Sequence, residues 1–279
     1  MKGSVLLLCA VMLAGGFTWV VQLSESGRDN PYVTRSYRDR VVVSAPVLVF
    51  LAGGDRRLAG NLEVMRVAAT GIDAVGIDTL YLVRAQAEAA RLHPCHEDNY
   101  YLANGLLSWS GAAEAGTEVL RRAMRCRFWD GVPAFLYAVN KSFFDHDTDE
   151  AVRALELSAS RWPANAAVLR KMAVMLRVES YADLRMALNY LKQQRDQSRD
   201  PVLRQMLDKR VTRLEGLMTL RDAKLQYEQQ FGALRALEQL VERGVIQALP
   251  VDPLRLGYEL RRGQVELRKM KIAGLEGVR

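Results

Sequence analysis

The chain has 279 residues, 49% of them apolar, with a formal net charge of +7 and a pI near 9.4. The apolar content excludes a wholly disordered chain. The basic excess is Arg-rich and lacks a dense Lys/Arg run, which fits solvated helix faces, with an acidic partner or anionic headgroups as the functional alternative; nucleic acid ranks third, because the apolar leader would place the body outside the cytoplasm.

The first element is an apolar stretch, Val5–Val21, preceded by Lys2 and containing Thr18 as its polar side chain. It has 17 residues, the short end of what a spanning helix needs. A cleaved signal peptide is the rival reading. The stretch runs on past Gly15-Gly16 through Phe17, Trp19, Val20 and Val21, and Gln22-Leu23-Ser24 makes a poor cleavage site, so an uncleaved anchor over 1–23 is expected. The short N-terminal tail with Lys2 places the body outside the cytoplasm, although Arg28, Arg35, Arg38 and Arg40 follow the stretch. The expected topology is single-pass with the body outside the cytoplasm.

Residues 24–54 read as linker and lead-in. Ser24–Arg40 is polar, and Val41–Leu51 is an apolar run interrupted by Pro46 that fits either a strand or a buried lead-in. Asp55 is a candidate N-cap for a helix whose apolar side is Leu58, Leu62, Met65 and Ala69, ending at Gly71. Leu80–Leu92 forms the next helix, closed by Pro94.

From there a spacing recurs: a small residue, an apolar one four later, and a small one three after that. Gly116-Leu120-Ala123 and Ala151-Leu155-Ser158 match it, Val83-Ala87-Ala90 matches it loosely, and Ala187-Leu191-Gln194 matches it in part. The intervening segments carry Tyr100-x-x-Ala103, Phe135-x-x-Ala138 and Leu169-x-x-Met172-Ala173-x-x-Leu176. Over 55–200 this pattern resembles tetratricopeptide repeat proteins, whose repeats are helix pairs of about 34 residues. The departures are Leu169 where a large aromatic is wanted, and Asn104 and Val139 where a small residue is wanted. The resemblance implies an all-α helical-repeat superhelix that binds a protein or peptide partner on its concave face, lined by first helices. On that basis Leu106, Trp109, Leu136, Asn140, Phe143, Arg170, Val174 and Arg177 are the candidate partner-binding residues.

Capping helices are expected over 201–248. Val202–Phe231 fits one long helix or two broken at Gly216, and Leu234–Arg243 a further short one. In 249–279, a turn at Leu249–Pro253 precedes a hairpin in which Leu256–Leu260 and Gln264–Leu267 flank Arg261-Arg262-Gly263. This ending resembles the LPxDPxG-x-x-Y hairpin of envelope-anchored bacterial repeat proteins, except that Leu254-Arg255-Leu256 intervenes before Gly257. That resemblance implies a bacterial inner membrane as the location, with the body periplasmic.

Three clusters could carry chemistry. His93, Cys95 and His96, with Glu97 and Asp98, could ligate zinc or copper if Cys126 or His146 joined them, which would make the chain a metal-dependent envelope enzyme. Alternatively, Cys95 and Cys126 could pair in an oxidising compartment. Asp145–Glu150 is acidic but lacks the spaced ligands of a calcium loop and reads as a turn with Thr148 or Asp149 as cap. Gly53–Gly60 lacks a phosphate-loop lysine. Neither a metal nor a cofactor is therefore expected, and an adaptor is favoured over an enzyme or a structural spacer without a groove.

Overall fold

The structure, a computed structural model, describes residues 41–70, 72–73 and 76–268. The expected anchor, the segment Ser24–Arg40 and the tail Lys269–Arg279 lie outside the described residues. Among the described residues, no helix is long and apolar enough to cross a membrane. The fold is mostly helical with a small C-terminal antiparallel hairpin, in two compact units that meet in sequence at Arg127 and Phe128.

The first unit opens with α1 (Ala45–Leu51), where Pro46 occupies the first helical turn and needs no N–H partner. Val41–Leu51 thus forms neither a strand nor a buried element, since α1 buries none of its residues. Helix α2 (Arg56–Thr70) starts where Asp55 Oδ1 accepts from the N–H groups of Arg57 and Leu58 at 2.8 and 3.0 Å. A two-residue ladder, β1 (Ile72–Asp73) against β2 (Gly76–Ile77), leads to α3 (Thr79–Leu92), capped by Asp78. Helix α4 (Glu97–Leu102) passes into a π-helical turn, Ala103–Leu107, and a 3-10 turn, Ser108–Ser110. Helix α5 (Ala113–Cys126) ends the unit.

The periodicity of α2 misleads. Leu58, Leu62 and Met65 are exposed, while Ala59, Gly60, Glu63, Val64 and Val67 are buried. Two features turn the helix this way. Gly60 lets α2 approach α3, because a Cβ there would sit 2.8 Å from His93 Cβ. Glu63 enters the interior as a salt, with Arg66 Nε 2.9 Å from its Oε2 and the Arg66 guanidinium over the Tyr81 ring.

The second unit contains α6 (Val132–Phe143), α7 (Thr148–Arg161), a 3-10 turn at Pro163–Asn165, α8 (Ala166–Glu179), α9 (Leu184–Gln197), α10 (Pro201–Phe231) and α11 (Glu238–Glu242). Strands β3 (Tyr258–Arg261) and β4 (Gln264–Leu267) pair with Arg261 opposite Gln264, and Arg262 and Gly263 turn at φ 50° and 74°. Positive φ at both turn positions is the two-residue geometry that matches strand twist. Helix α10 is unbroken at Gly216, where the absent side chain makes room for the Tyr258 hydroxyl and Pro250. The helix expected over Leu234–Arg243 is confined to α11.

Helices α3, α5, α7 and α9 begin at Thr79, Ala113, Thr148 and Leu184, steps of 34, 35 and 36 residues, and each is 14 residues long. The fourth and eighth residues of each are buried: Leu82 and Gln86, Gly116 and Leu120, Ala151 and Leu155, Ala187 and Leu191. In α3 this register is one residue earlier than Val83-Ala87-Ala90, and Val83 and Ala87 are half-buried.

Candidate partner-binding groove

The second unit contains a groove of about 820 Å³ on α6, α8 and the first half of α10. Each helix is fixed at its start. Asp130 Oδ1 accepts from Val132 N–H at 2.9 Å ahead of α6, and Asp200 Oδ1 accepts from the N–H groups of Val202 and Leu203 at the head of α10. Helix α8 enters through the Pro163–Asn165 turn. Val139 and Phe143 line one wall, and Met172, Met175 and Leu176 the other. Thioether side chains are flexible and polarizable and adapt to irregular neighbours.

Two cations also line the groove, Lys171 on α8 and Arg210 on α10. Burial pushes the Lys171 ammonium below its ordinary value, and the charge of Arg210 lowers it further. Burial likewise lowers Arg210, Arg213 adds to this, and Asp252 opposes it. His146, at φ 52°, and the exposed Glu179 also line the groove.

The residues expected to bind a partner divide. Phe143 lines the groove and is exposed. Leu136 is half-buried. Asn140 and Val174 are corrections: they are 0% and 5% exposed and offer no surface. Arg170 lies 3.8 Å from Glu156, and Arg177 is ion-paired with Asp149; neither lines the groove. Leu106, half-buried, and Trp109, exposed, belong to the first unit. Sequence reasoning missed Lys171, Met175 and Arg210, and took Met172 and Leu176 as packing positions. The usable signal was the run Met172, Met175, Leu176, Glu179 at i, i+3, i+4 and i+7, which marks one helix face.

Near Pro94, Cys95 and Cys126 form a disulfide with their Cα atoms 5.3 Å apart. Arg127 Nη1 donates to Cys95 O at 3.2 Å, and Arg127 Nη2 lies 3.1 Å from Glu97 Oε2. The His93 and His96 rings meet edge to face, 5.3 Å apart between centroids. Burial lowers the His93 imidazole below its ordinary value, and His96, Arg57, Arg127 and Arg56 lower it further. The disulfide removes Cys95 as a thiolate ligand. Among the described residues, no group of three or more His, Cys, Asp or Glu could hold a metal ion. The alternative metal reading of His93–Asp98 therefore lacks the thiolate that it called on. In the acidic turn before α7 the cap is Asp147, not Thr148 or Asp149: its Oδ1 accepts from Glu150 N–H at 3.0 Å.

No family model, no curated protein and no solved structure matches this chain.

Proposed function

We propose that the chain is a membrane-anchored, tetratricopeptide-like scaffold that holds a segment of another protein in the α6–α8–α10 groove, and that it is not an enzyme. The carrying observation is the groove itself: an apolar, thioether-rich trough whose two cations are held partly out of water. An apolar segment bearing an acidic group would fill the trough and offset the desolvation of Lys171 and Arg210. The near-constant steps between α3, α5, α7 and α9 support the repeat reading. The Cys95–Cys126 disulfide supports a body in an oxidising compartment, in keeping with an inner-membrane anchor at Val5–Val21 and an envelope setting such as secretion, pilus or envelope assembly. A photoreactive amino acid replacing Met172 should give a discrete adduct with one envelope protein in cells, and one replacing the exposed Met186 on α9 should give none. Equal or absent labelling from both positions would leave only a spacer.

A further inference from the structure

Helix α1, Ala-Pro-Val-Leu-Val-Phe-Leu, is wholly apolar and buries none of its residues. Val47, Phe50 and Leu51 share one face at i, i+3 and i+4 and are 47%, 81% and 71% exposed. On α2, Leu58, Leu62 and Met65 form a second stripe at i, i+4 and i+7, each at least 45% exposed. Single exposed apolar residues are ordinary, but two consecutive helices that each carry an exposed row of large apolar side chains present apolar surface that water disfavours, and Met65 at the end of the α2 row also borders Tyr101 and Leu102 of α4. The patch lies at the array's first helices, where no earlier helix pair covers α2 among the described residues and where a repeat array ordinarily presents a polar cap.

The position in the chain says what covers it. Val21 and Ala45 are separated by 23 residues, a span that no chain conformation extends beyond about 80 Å. A body tethered by Val5–Val21 therefore keeps α1 within about 80 Å of the bilayer, where apolar side chains find hydrocarbon at raised effective concentration. We infer that the outer faces of α1 and α2 rest in the lipid interface, so that the body is held against the membrane and not merely leashed to it. A helix lying in this way buries its apolar face by about 5–10 Å, and long arginine side chains such as the exposed Arg57 reach back to the headgroups. The inference rests on the anchor reading.

The test reconstitutes the full chain into phosphatidylcholine–phosphatidylglycerol vesicles with or without brominated acyl chains and follows tryptophan emission. Variants Phe50→Trp and Met65→Trp should each add emission that brominated lipid cuts by about twofold, as expected for a ring about 5–10 Å deep. Met186→Trp, exposed on α9, should add emission that bromine leaves unchanged. Comparing the native chain with Trp19→Phe reports the anchor separately. Quenching of Trp19 without quenching of the Phe50→Trp and Met65→Trp variants overturns the lipid-facing patch and leaves the anchor standing. That pattern would return the patch to a protein occupant, a second copy or the partner. No quenching at Trp19 removes the anchor reading itself, and this inference with it.

Discussion

Arg213 on α10 and Asp252 in the loop before β3 form a buried ion pair. Nε lies 3.0 Å from Oδ2, and the side chains are 8% and 3% exposed. The pair ties the C-terminal hairpin to the long helix. Arg213 Nη2 also donates to the carbonyl of Arg268 at 2.7 Å, Asp252 accepts from the N–H groups of Leu254, Leu256 and Gly257, and Tyr258 donates to Arg213 O at 3.2 Å. Breaking one side strands the other charge away from water. Asp252→Asn should therefore cost about 3–5 kcal/mol in urea unfolding, whereas an Arg213→Met/Asp252→Asn double variant, which removes the stranded cation and keeps a carbonyl acceptor for the backbone N–H groups, should lose less. A double variant as unstable as the single one would show that the hairpin is held by shape and not by this pair.

The same carboxylate sets a response to acid. Burial raises the Asp252 pKa, but the Leu254 and Gly257 N–H groups, the Arg213 charge and the Leu256 N–H together outweigh it, leaving the group below its ordinary value of 3.8. A depressed carboxylate contributes stability that is fully present above its unfolded value and is lost as the pH falls through the folded one. Melting temperature should fall steeply below about pH 4 in the native chain and less so in Asp252→Asn, whose side chain does not titrate there. Parallel pH curves for the two proteins would refute the assignment.

Much of this architecture is legible in the residues, and the failures have physical causes. Small residues at Gly116, Ala151 and Ala187 mark buried positions on α5, α7 and α9, and short-range spacing reports a buried helix face directly. The hairpin is legible from Gly263, because glycine takes positive φ without steric cost; Arg262 shares that conformation with no such signal in its side chain. Leu58, Leu62 and Met65 predict the wrong buried face for α2, because apolar periodicity puts leucine inside and glutamate outside. The Arg66 partner that brings Glu63 inside lies on the same helix but carries no apolar signal. The groove was half legible: Phe143 was found, but Arg210 reaches it from a helix more than thirty positions along the chain, which no local pattern encodes.

The disulfide should matter to the first unit. Cys95 and Cys126 are separated by 31 positions, and closing a loop of that length restricts the unfolded chain by about 3–4 kcal/mol. Cys95→Ser/Cys126→Ser should lower the unfolding midpoint accordingly. Dithiothreitol should do the same to the native chain and leave the variant unaffected. An effect of reductant on the double variant would point elsewhere, since Cys9 is then the remaining thiol.

Two glycines hold helices at close range. A Cβ at Gly131 would lie 2.8 Å from the Ser158 carbonyl oxygen, and one at Gly116 would lie 3.1 Å from that of Ala103. Backbone cannot swing aside as a side-chain tip does, so Gly131→Ala should cost about 1–3 kcal/mol and Gly116→Ala somewhat less. At Gly105 a Cβ meets nothing within 4 Å, and Gly105→Ala should be neutral or stabilising by about 1 kcal/mol. Thermal unfolding of the three variants checks the order, and destabilisation by Gly105→Ala would show that backbone conformation, not space, governs these positions.

Lys171 separates a binding role from a packing one. Its ammonium is partly withdrawn from water and faces the charge of Arg210, so folding alone gains nothing from it. Lys171→Met keeps the aliphatic length and relieves that desolvation, so melting temperature should hold or rise. A partner that brings an acidic group to the groove would lose a charge-assisted contact, and the adduct from a photoreactive residue at Met172 should fall about tenfold, the consequence of losing roughly 1.4 kcal/mol. Arg210→Gln should act in the same direction on the adduct. Unchanged capture in both variants would mean that the groove recognises its partner through apolar contact alone. A fall in stability without a change in capture would make Lys171 a structural residue.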